Sequence, residues 1–573
     1  MQAPNSKQIQ IAVGVVNAQL VDPTRDLKLR VSEILSYEVE GAQFVTGRPG
    51  WDGRTSMFSF SSNRFPSGFV ALVKSVLEKE GWHVRLIEKP CPEPLGPEKP
   101  VVDAFPEDPR YDYQPETVHR LIKYRRMIAR VATGGGKSRI ARLAYARINR
   151  TTLFLTTRKT LMYQMADSFK SDLKVRVGIL GDSSWEPCNG FNCATVDTIS
   201  SRIEVKTRDS EITKIVQQLA DELESKIVAA TKIAGIPYGT LAKFATAAQK
   251  AQTEKIRAAL KAEQSALWPT ERIGRHVESI VRLQAERRRD TIAFLERVEF
   301  VILEEAHEVS GTGFFDVMNA CKNAHYRLAL TATPFMKDSA EANMRLMAVT
   351  GLVGIKVSEK LLIDRGILAK PCFRFITPQK PPKISRSSDW SRAYKLGIVE
   401  SQMRNATIVY EAKRAAQYGL TTMVLVQHTK HGDVLEDMLR TAGLRVAFIR
   451  GDDNQPVRKK ALVSLEKGEI DVLIGTTILD VGVDVPAVGM IVLAGGGKAE
   501  VALRQRIGRG LRAKKVGPNV CLIVDFHDDS NNHLIKHSRQ RRQIVEDTPG
   551  FVEGILPDGS DFNYTALGFK KAA

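Results

Sequence analysis

The chain reads as an α/β protein built on two parallel sheets, with a small α+β unit in front and a helical stretch inserted into the first sheet. Three observations predict this. Short apolar runs alternate with helical patterns from about residue 111 to 545, as expected for parallel sheets covered by helices. A glycine-rich turn joins an apolar run ending at Val131 to a helical pattern carrying Ile140, Leu143, Ala144 and Ile148. The alternation is interrupted over 205–298 by a stretch rich in Ala, Glu, Lys, Gln and Arg.

Residues 1–88 form the α+β unit. An apolar, β-prone run over 8–16 precedes helical spacing over 27–37, and a second helix over 69–77 is stopped by Gly81. Between the helices, Arg48, Trp51 and Arg54 share one turn-rich segment, 47–54. A flat ring beside guanidinium groups suits stacking on bases or holding phosphates, and it equally suits a hairpin with Trp51 in a small core. Residues 89–110 hold seven prolines and no periodicity, so they are expected to be a linker.

The first sheet region spans 111–355, with strands expected at 152–155, 175–180, 300–303 and 327–330. Gln114, just upstream of the glycine-rich turn, has an amide that can read both edges of adenine. The turn itself is Thr133-Gly134-Gly135-Gly136-Lys137-Ser138. Glycines let the backbone curl and aim its N–H groups inward, and the following helix adds its positive end, which makes a cradle for the phosphates of a nucleotide. Lys137 would reach the β- and γ-phosphates and the Ser138 hydroxyl would hold Mg²⁺. Val131 stands where the usual pattern has its first glycine.

The insertion 205–298 is expected to be two or three long helices, broken near residues 235–237 and 268–269. Its Arg287, Arg288 and Arg289 run is either a solvated face or a nucleic-acid contact. Four apolar residues then run into Glu304 and Glu305, which places two carboxylates at the C-terminal edge of a buried strand, where such sheets bind ligands. One acid can hold Mg²⁺ through water while its neighbour deprotonates an attacking water. Thr331-Ala332-Thr333-Pro334 ends the next strand.

The second sheet region spans 356–545, with strands expected at 422–426, 445–449, 472–474, 490–493 and 520–524, and residues 546–573 follow as a tail. It has no phosphate loop. Its Arg509 and Arg512 sit three apart on one helix, so they share a face and can reach across a cleft to a γ-phosphate; a basic surface helix is the other reading.

Composition sets the outer bounds. With 573 residues, 43% hydrophobic and 26% charged, several soluble globular domains are expected. No apolar run is long enough for a membrane span, no secretory signal is visible, and six scattered cysteines fit a reducing, cytoplasmic setting. A net charge of +19 suggests a polyanion partner, most simply nucleic acid, though a basic surface alone also accounts for it.

Taken in order, eight segments resemble the superfamily 2 helicases and translocases of DEAD/DEAH-like type over residues 110–545. They are Tyr113-Gln114, V-A-T-G-G-G-K-S at 131–138, T-T-R-K-T-L at 156–161, A-T-V-D-T at 194–198, E-E-A-H at 304–307, T-A-T-P at 331–334, G-T-T-I-L-D-V-G-V-D-V-P at 475–486 and Q-R-I-G-R-G-L-R at 505–512. The resemblance implies two RecA-like domains with ATP and Mg²⁺ between them, Gly482 and Asp484 at the nucleotide, and nucleic acid crossing both domains. It implies that Arg158, Thr195 and Thr476 touch the sugar–phosphate track. G-W-D-G-R at 50–54 and the segment 65–70 are similar to phage UvsW-type branch-migration helicases. The expected activity is therefore ATP-driven movement on single-stranded, forked or branched DNA by a monomer; an RNA helicase and an ATP-binding clamp with weak hydrolysis are the alternatives. Glu304 stands where the family has Asp, one methylene shorter, and the insertion is outside the UvsW-type pattern.

Overall fold

A computed structural model describes residues 7–42, 51–103, 108–306, 311–335, 339–476, 488–497, 500–514 and 516–571, apart from the side chains of 241, 312, 455, 500–502, 505 and 509. The N-terminal unit comprises β1 (Gln8–Val13), β2 (Asn17–Val21), α1 (Arg25–Ile34), β3 (Ser36–Glu38), β4 (Arg54–Ser56), β5 (Arg64–Pro66), α2 (Val70–Lys79) and β6 (His83–Glu88). Its sheet has the order β5-β2-β1-β6, and β3 and β4 pair as a separate antiparallel hairpin. Val73 and Leu77 of α2 and Leu27 and Val31 of α1 are buried against Ile9, Ile11 and Leu20, the inward residues of alternating strands.

Domain 1 runs through α3 (Tyr113–Tyr124), β7 (Arg126–Val131), α4 (Lys137–Ile148), β8 (Thr152–Thr156), α5 (Lys159–Leu173), β9 (Val177–Gly181), β10 (Ser184–Glu186), β11 (Phe191–Thr195) and α6 (Val196–Ile203). The insertion supplies α7 (Arg208–Ile233), α8 (Ala247–Leu267) and α9 (Thr270–Leu295), and the domain resumes with β12 (Phe300–Glu304), α10 (Thr312–Ala320), β13 (Tyr326–Thr331), α11 (Ala340–Thr350) and β14 (Val353–Val357). The eight strands are ordered β10-β9-β11-β8-β12-β13-β7-β14, parallel except for β10. Central strands are buried along their whole length, which is why they read as continuous apolar runs.

Domain 2 contains α12 (Glu359–Asp364), β15 (Lys370–Ile376), α13 (Trp390–Tyr394), α14 (Gln402–Gln417), β16 (Thr422–Leu425), α15 (Thr429–Thr441), β17 (Val446–Ile449), α16 (Gln455–Glu466), β18 (Val472–Gly475), β19 (Met490–Val492), α17 (Glu500–Gly510), β20 (Val520–Phe526) and α18 (Asn532–Glu546). Its six strands, all parallel, are ordered β15-β20-β19-β16-β18-β17. The fold is thus two RecA-like α/β domains, an α+β unit and a three-helix insertion, in the class the sequence predicts.

Three connections differ from expectation. The proline-rich stretch does not hang between domains: the Leu95 and Gly96 N–H groups donate to the Ile148 and Arg147 carbonyls, and Val102 is buried in the domain 1 core. Prolines remove donors and helix propensity, so the stretch has no periodicity to read, yet it packs as a strap. The tail 546–573 also packs, burying Phe551, Phe562, Tyr564 and Phe569 on domain 2. The N-terminal unit is docked rather than tethered. Its core is continuous with Ala348, Met344 and Met347 of α11 and Phe315 of α10. A Cβ on Gly68 would run into the Met347 and Ala348 carbonyls, so glycine is what allows that approach.

Candidate functional site

The glycine-rich turn follows β7 because the sheet stops there: the Ala132 N–H donates to Val357 O of the edge strand β14, and the Gly135 N–H turns back to Ala132 O. Gly134 and Gly136 take φ of +86° and +78°, which only glycine adopts without strain. Gly136 is the N-cap of α4, so Lys137 opens that helix and its first N–H groups face the turn.

The strand order β12-β13-β7 sets the rest. Glu304 ends β12 and the phosphate turn ends β7, with Thr331 at the end of β13 between them. Glu305 takes φ +49°, a left-handed backbone that costs a side-chain-bearing residue roughly 1–2 kcal/mol. Its carboxylate lies 3.9 Å from Lys137 Nζ, and both side chains are nearly enclosed. Glu304 is buried, and its Oε2 has no hydrogen-bond partner. Burial first and the Glu305 charge second push its carboxyl up to about 7, while Lys137 pulls the other way. A buried carboxylate oxygen without a donor is a position a cation would satisfy. Ser138, one residue beyond Lys137, supplies a hydroxyl at the helix start, so Glu304 and Ser138 have the oxygen chemistry for Mg²⁺.

Gln114 departs from its expected role. It is buried, its Nε2 donates to Gly135 O at 3.3 Å, and its Oε1 accepts from Arg139 at 2.7 Å. Both ends of the amide are engaged within the protein, and Tyr113 adds a hydroxyl bond to the same Gly135 O at 2.9 Å. The pair therefore buttresses the phosphate turn. Asp103, from the proline-rich strap, holds Arg139 at 2.6 Å and completes this support. Sequence reading missed Asp103 and Arg139, because neither belongs to a spaced pattern.

Domain 2 closes over the turn. A Cβ on Gly508 of α17 would stand 2.7 Å from Thr133 Cβ, and one on Gly134 would meet Leu368 at 2.7 Å. Arg504 of α17 lies 3.6 Å from Glu359. Arg509 follows Gly508 on this docked helix, with its side chain outside the described positions. Arg512 does not share a helix face with Arg509 as the spacing predicts, because α17 ends at Gly510 and Arg512 instead forms an isolated antiparallel bridge with Leu368, its side chain exposed. Gly482 and Asp484 lie outside the described residues.

The track residues occupy the C-terminal sheet edges. Thr156 and Thr195 are register partners on β8 and β11, and Arg158 follows, exposed. The Thr195 hydroxyl donates to Thr198 Oγ1 at 2.8 Å and is buried. Thr476 follows β18 on the domain 2 edge and is also buried. In the N-terminal hairpin, Trp51 Nε1 donates to Arg54 O at 2.6 Å and the ring is partly buried, so Trp51 closes the hairpin; Arg54 is exposed, and Arg48 lies outside the described residues. Among the described residues no cluster of three or more His, Cys, Asp or Glu side chains forms a metal site, and no helix is long and apolar enough to cross a membrane.

Comparison with known proteins adds an independent observation. Residues 108–336 match the family model for the type III restriction enzyme res subunit, and residues 405–514 match the helicase conserved C-terminal domain. Putative helicase 22 of Sulfolobus islandicus filamentous virus is 24% identical over 263 residues, 43% of this chain and 45% of that protein. UvrABC system protein B of Anaplasma phagocytophilum is 29% identical over 157 residues, 26% of this chain and 24% of that protein. The chain thus spans less than half the length of these curated relatives. The crystal structure of T4 UvsW aligns over 96% of this chain and 99% of its own, at 15% identity and a TM-score of 0.40.

Proposed function

The chain belongs to the superfamily 2 helicases, and we propose that it is an ATP-dependent DNA translocase acting on forked or recombination intermediates. The observation that carries the proposal is the single cleft in which the phosphate turn, Glu304, Glu305 and the docked α17 meet, although they come from two sheets. Bound ATP would supply the phosphoryl group whose transfer to water powers the cycle. The residues have separable tasks. The N–H groups at the start of α4 hold phosphate oxygens, and Lys137 neutralises their charge. Ser138 and Glu304 would hold Mg²⁺, which would neutralise phosphate charge, and Glu305 is placed to accept a proton from water. The Lys137–Glu305 pair must part for this, since the lysine turns to phosphate and frees the carboxylate. Arg509, on the helix whose Gly508 meets Thr133, is assigned to the same phosphates from domain 2.

Arg158, Thr195 and Thr476 are assigned to a track along both sheet edges. Contacts to phosphates alone do not read sequence, so binding is expected to be nearly sequence-independent. The net charge of +19 supports a polyanion substrate. The N-terminal unit, with its Trp51–Arg54 hairpin, is proposed as the reader of branches, as its similarity to UvsW-type helicases suggested. We place the protein in the cytoplasm as a monomer; its six cysteines carry no disulfide, which suits a reducing compartment.

One observation favours a second reading, an ATP-binding clamp with slow hydrolysis. Glu304 stands one methylene longer than the Asp of the family pattern, and in the metal-free protein burial raises its carboxyl above the ordinary value. The experiment is ATPase measured with Mg²⁺ over a panel of single-stranded, duplex and forked DNA and the matching RNA. Stimulation greatest on forked DNA supports the translocase. Equal or greater stimulation by RNA overturns the DNA assignment, and tight ATP binding without turnover on any strand establishes the clamp.

A further inference from the structure

Domain 2 carries a feature that the motor motifs do not use. Between β15 and α14 the chain makes an excursion over 377–401. The Asn531 amide holds it by donating to the carbonyls of Ser385, Arg386 and Ser388, and Asp389 caps α13 by accepting from the Arg392 N–H. A π-helical turn, Lys395–Val399, completes it, a rare geometry that concentrates at functional sites. Ala393, Tyr394 and Ile398 pack on Leu534 of α18 as a small core of their own. Beneath them α18 is fixed to β20 by Arg541, which donates from two nitrogens to the Asp525 carboxylate.

On this base stands a group of flat rings. Trp390 is partly exposed, with its ring centroid 4.6 Å from His537, 5.3 Å from Tyr394 and 6.3 Å from His533. Tyr394 lies 4.9 Å from His428, and its buried hydroxyl has no hydrogen-bond partner. The excursion also carries five exposed cations, Lys380, Lys383, Arg386, Arg392 and Lys395. Its two acids are already occupied, Asp389 in the cap and Glu400 with Lys395 at 3.5 Å.

The position matters as much as the composition. His428 follows β16, whose edge is continuous with that of β18 through the Val426 N–H to Gly475 O bond, and Thr476 is the next residue. Arg506 of α17 lies close enough to the Tyr394 phenol to act on it electrostatically. The rings therefore sit on the same sheet edge as the proposed track and beside the helix that meets the phosphate turn. A packing plug would be buried, whereas Trp390 is partly exposed and shares its excursion with five exposed lysines and arginines. Flat rings accompanied by cations are how sequence-tolerant single-strand binding is built, since every base has a π-face and every nucleotide a phosphate.

We propose that Trp390, backed by His537 and His533, is a stacking platform for an unpaired base of single-stranded nucleic acid, extending the backbone track across domain 2. The proposal rests on the nucleic-acid motor reading above. Its test uses the full chain and its variants Trp390→Ala, Trp390→Leu and Trp390→Phe. Dissociation constants are measured for a single-stranded oligonucleotide and for an abasic strand of the same length. Losing one stacked base should weaken binding of the base-bearing strand by about tenfold in Trp390→Ala and Trp390→Leu, while Trp390→Phe keeps most of it. Binding of the abasic strand should be unchanged in all variants. Trp390→Leu keeps an apolar side chain larger than alanine's but without the π-face, so it serves if Trp390→Ala does not fold. Wild-type affinity in Trp390→Leu, or equal weakening on base-bearing and abasic strands, overturns the platform. A wild-type ATPase indifferent to every strand would instead sink the motor reading and leave the stacking measurement standing.

Discussion

Lys137, Glu305 and Arg509 make the sharpest claims at the scale of single residues. Lys137→Ala removes the charge facing the phosphates and should abolish turnover together with most ATP affinity, read by ATPase and nucleotide titration. Glu305→Gln should keep ATP binding and lose roughly 10²-fold or more in turnover, because an amide does not accept the proton of the attacking water. Wild-type turnover in Glu305→Gln would remove it as the base. Arg509→Ala should slow turnover by roughly 10³-fold if it meets the transition-state charge, with DNA affinity little changed. Glu304 gives a different test. Its carboxyl is raised from the ordinary value of 4.5 to about 7 by burial and Glu305. Between those values the folded protein holds a proton that the unfolded chain has released, so stability falls as pH rises through that window. The shift corresponds to an effect on the order of 3 kcal/mol. Thermal unfolding of the nucleotide-free protein from pH 4.5 to 7.5 should show this slope, and Glu304→Gln should flatten it. An unchanged slope in Glu304→Gln would place the pH dependence elsewhere.

At the scale of elements, the three insertion helices leave the sheet together. Their root, however, is part of domain 1. Phe294 and Leu295 of α9 and the following Val298 are buried in its core, and the Gln284 amide donates to Ser201 O, Arg202 O and Glu204 O at the end of α6. Trp185 of β10 lies 3.7 Å from the Arg202 guanidinium and edge-on to Phe294. Removing 205–298 whole would therefore empty a core, at a cost of several kcal/mol per large side chain. Arg208 and Glu278 lie 3.7 Å apart, so α7 and α9 can be rejoined near there. Replacing 212–276 with a short loop should leave unstimulated ATPase within about twofold of wild type, whereas removing 205–298 should give insoluble or unfolded protein. Soluble, active protein from the larger deletion would show that α9 does not carry the core. A drop in DNA affinity in the trimmed protein would assign the removed segment 212–276 to substrate, since Arg287, Arg288 and Arg289 are retained.

At the scale of the whole molecule, docking of the N-terminal unit changes how branch recognition should be tested. The unit sits on α10 and α11, which leave the ends of β12 and β13, and the Arg126 guanidinium reaches Val15 O at 2.9 Å. Deleting 1–88 would uncover Met344, Met347 and Phe315, so loss of activity would not separate recognition from folding. Trp51→Ala combined with Arg54→Ala alters only the hairpin. We expect several-fold loss of the preference for forked over linear DNA, with affinity for linear DNA nearly unchanged, measured at one fixed salt concentration because phosphate contacts make binding salt-dependent. An undiminished fork preference would reject the hairpin and turn attention to the insertion.

What the sequence by itself determined lies in short, contiguous stretches: the phosphate turn, the two acids after four apolar residues, the alternation that writes both parallel sheets, and the breaks between the insertion helices. These are legible because their physics is local; a glycine run, a buried strand and a helix stop each depend on neighbours along the chain. Tertiary structure alone decided what meets what. It turned the Gln114 amide inward onto Gly135 O and Arg139, bound the proline-rich strap to α4 through Asp103, and laid Gly508 against Thr133 from more than three hundred residues away. It also set the proton affinity of Glu304 and gathered Trp390, His428 and His537 from three separate segments. Burial and charge depend on distances through space between residues remote in sequence, and one-dimensional spacing does not carry those distances.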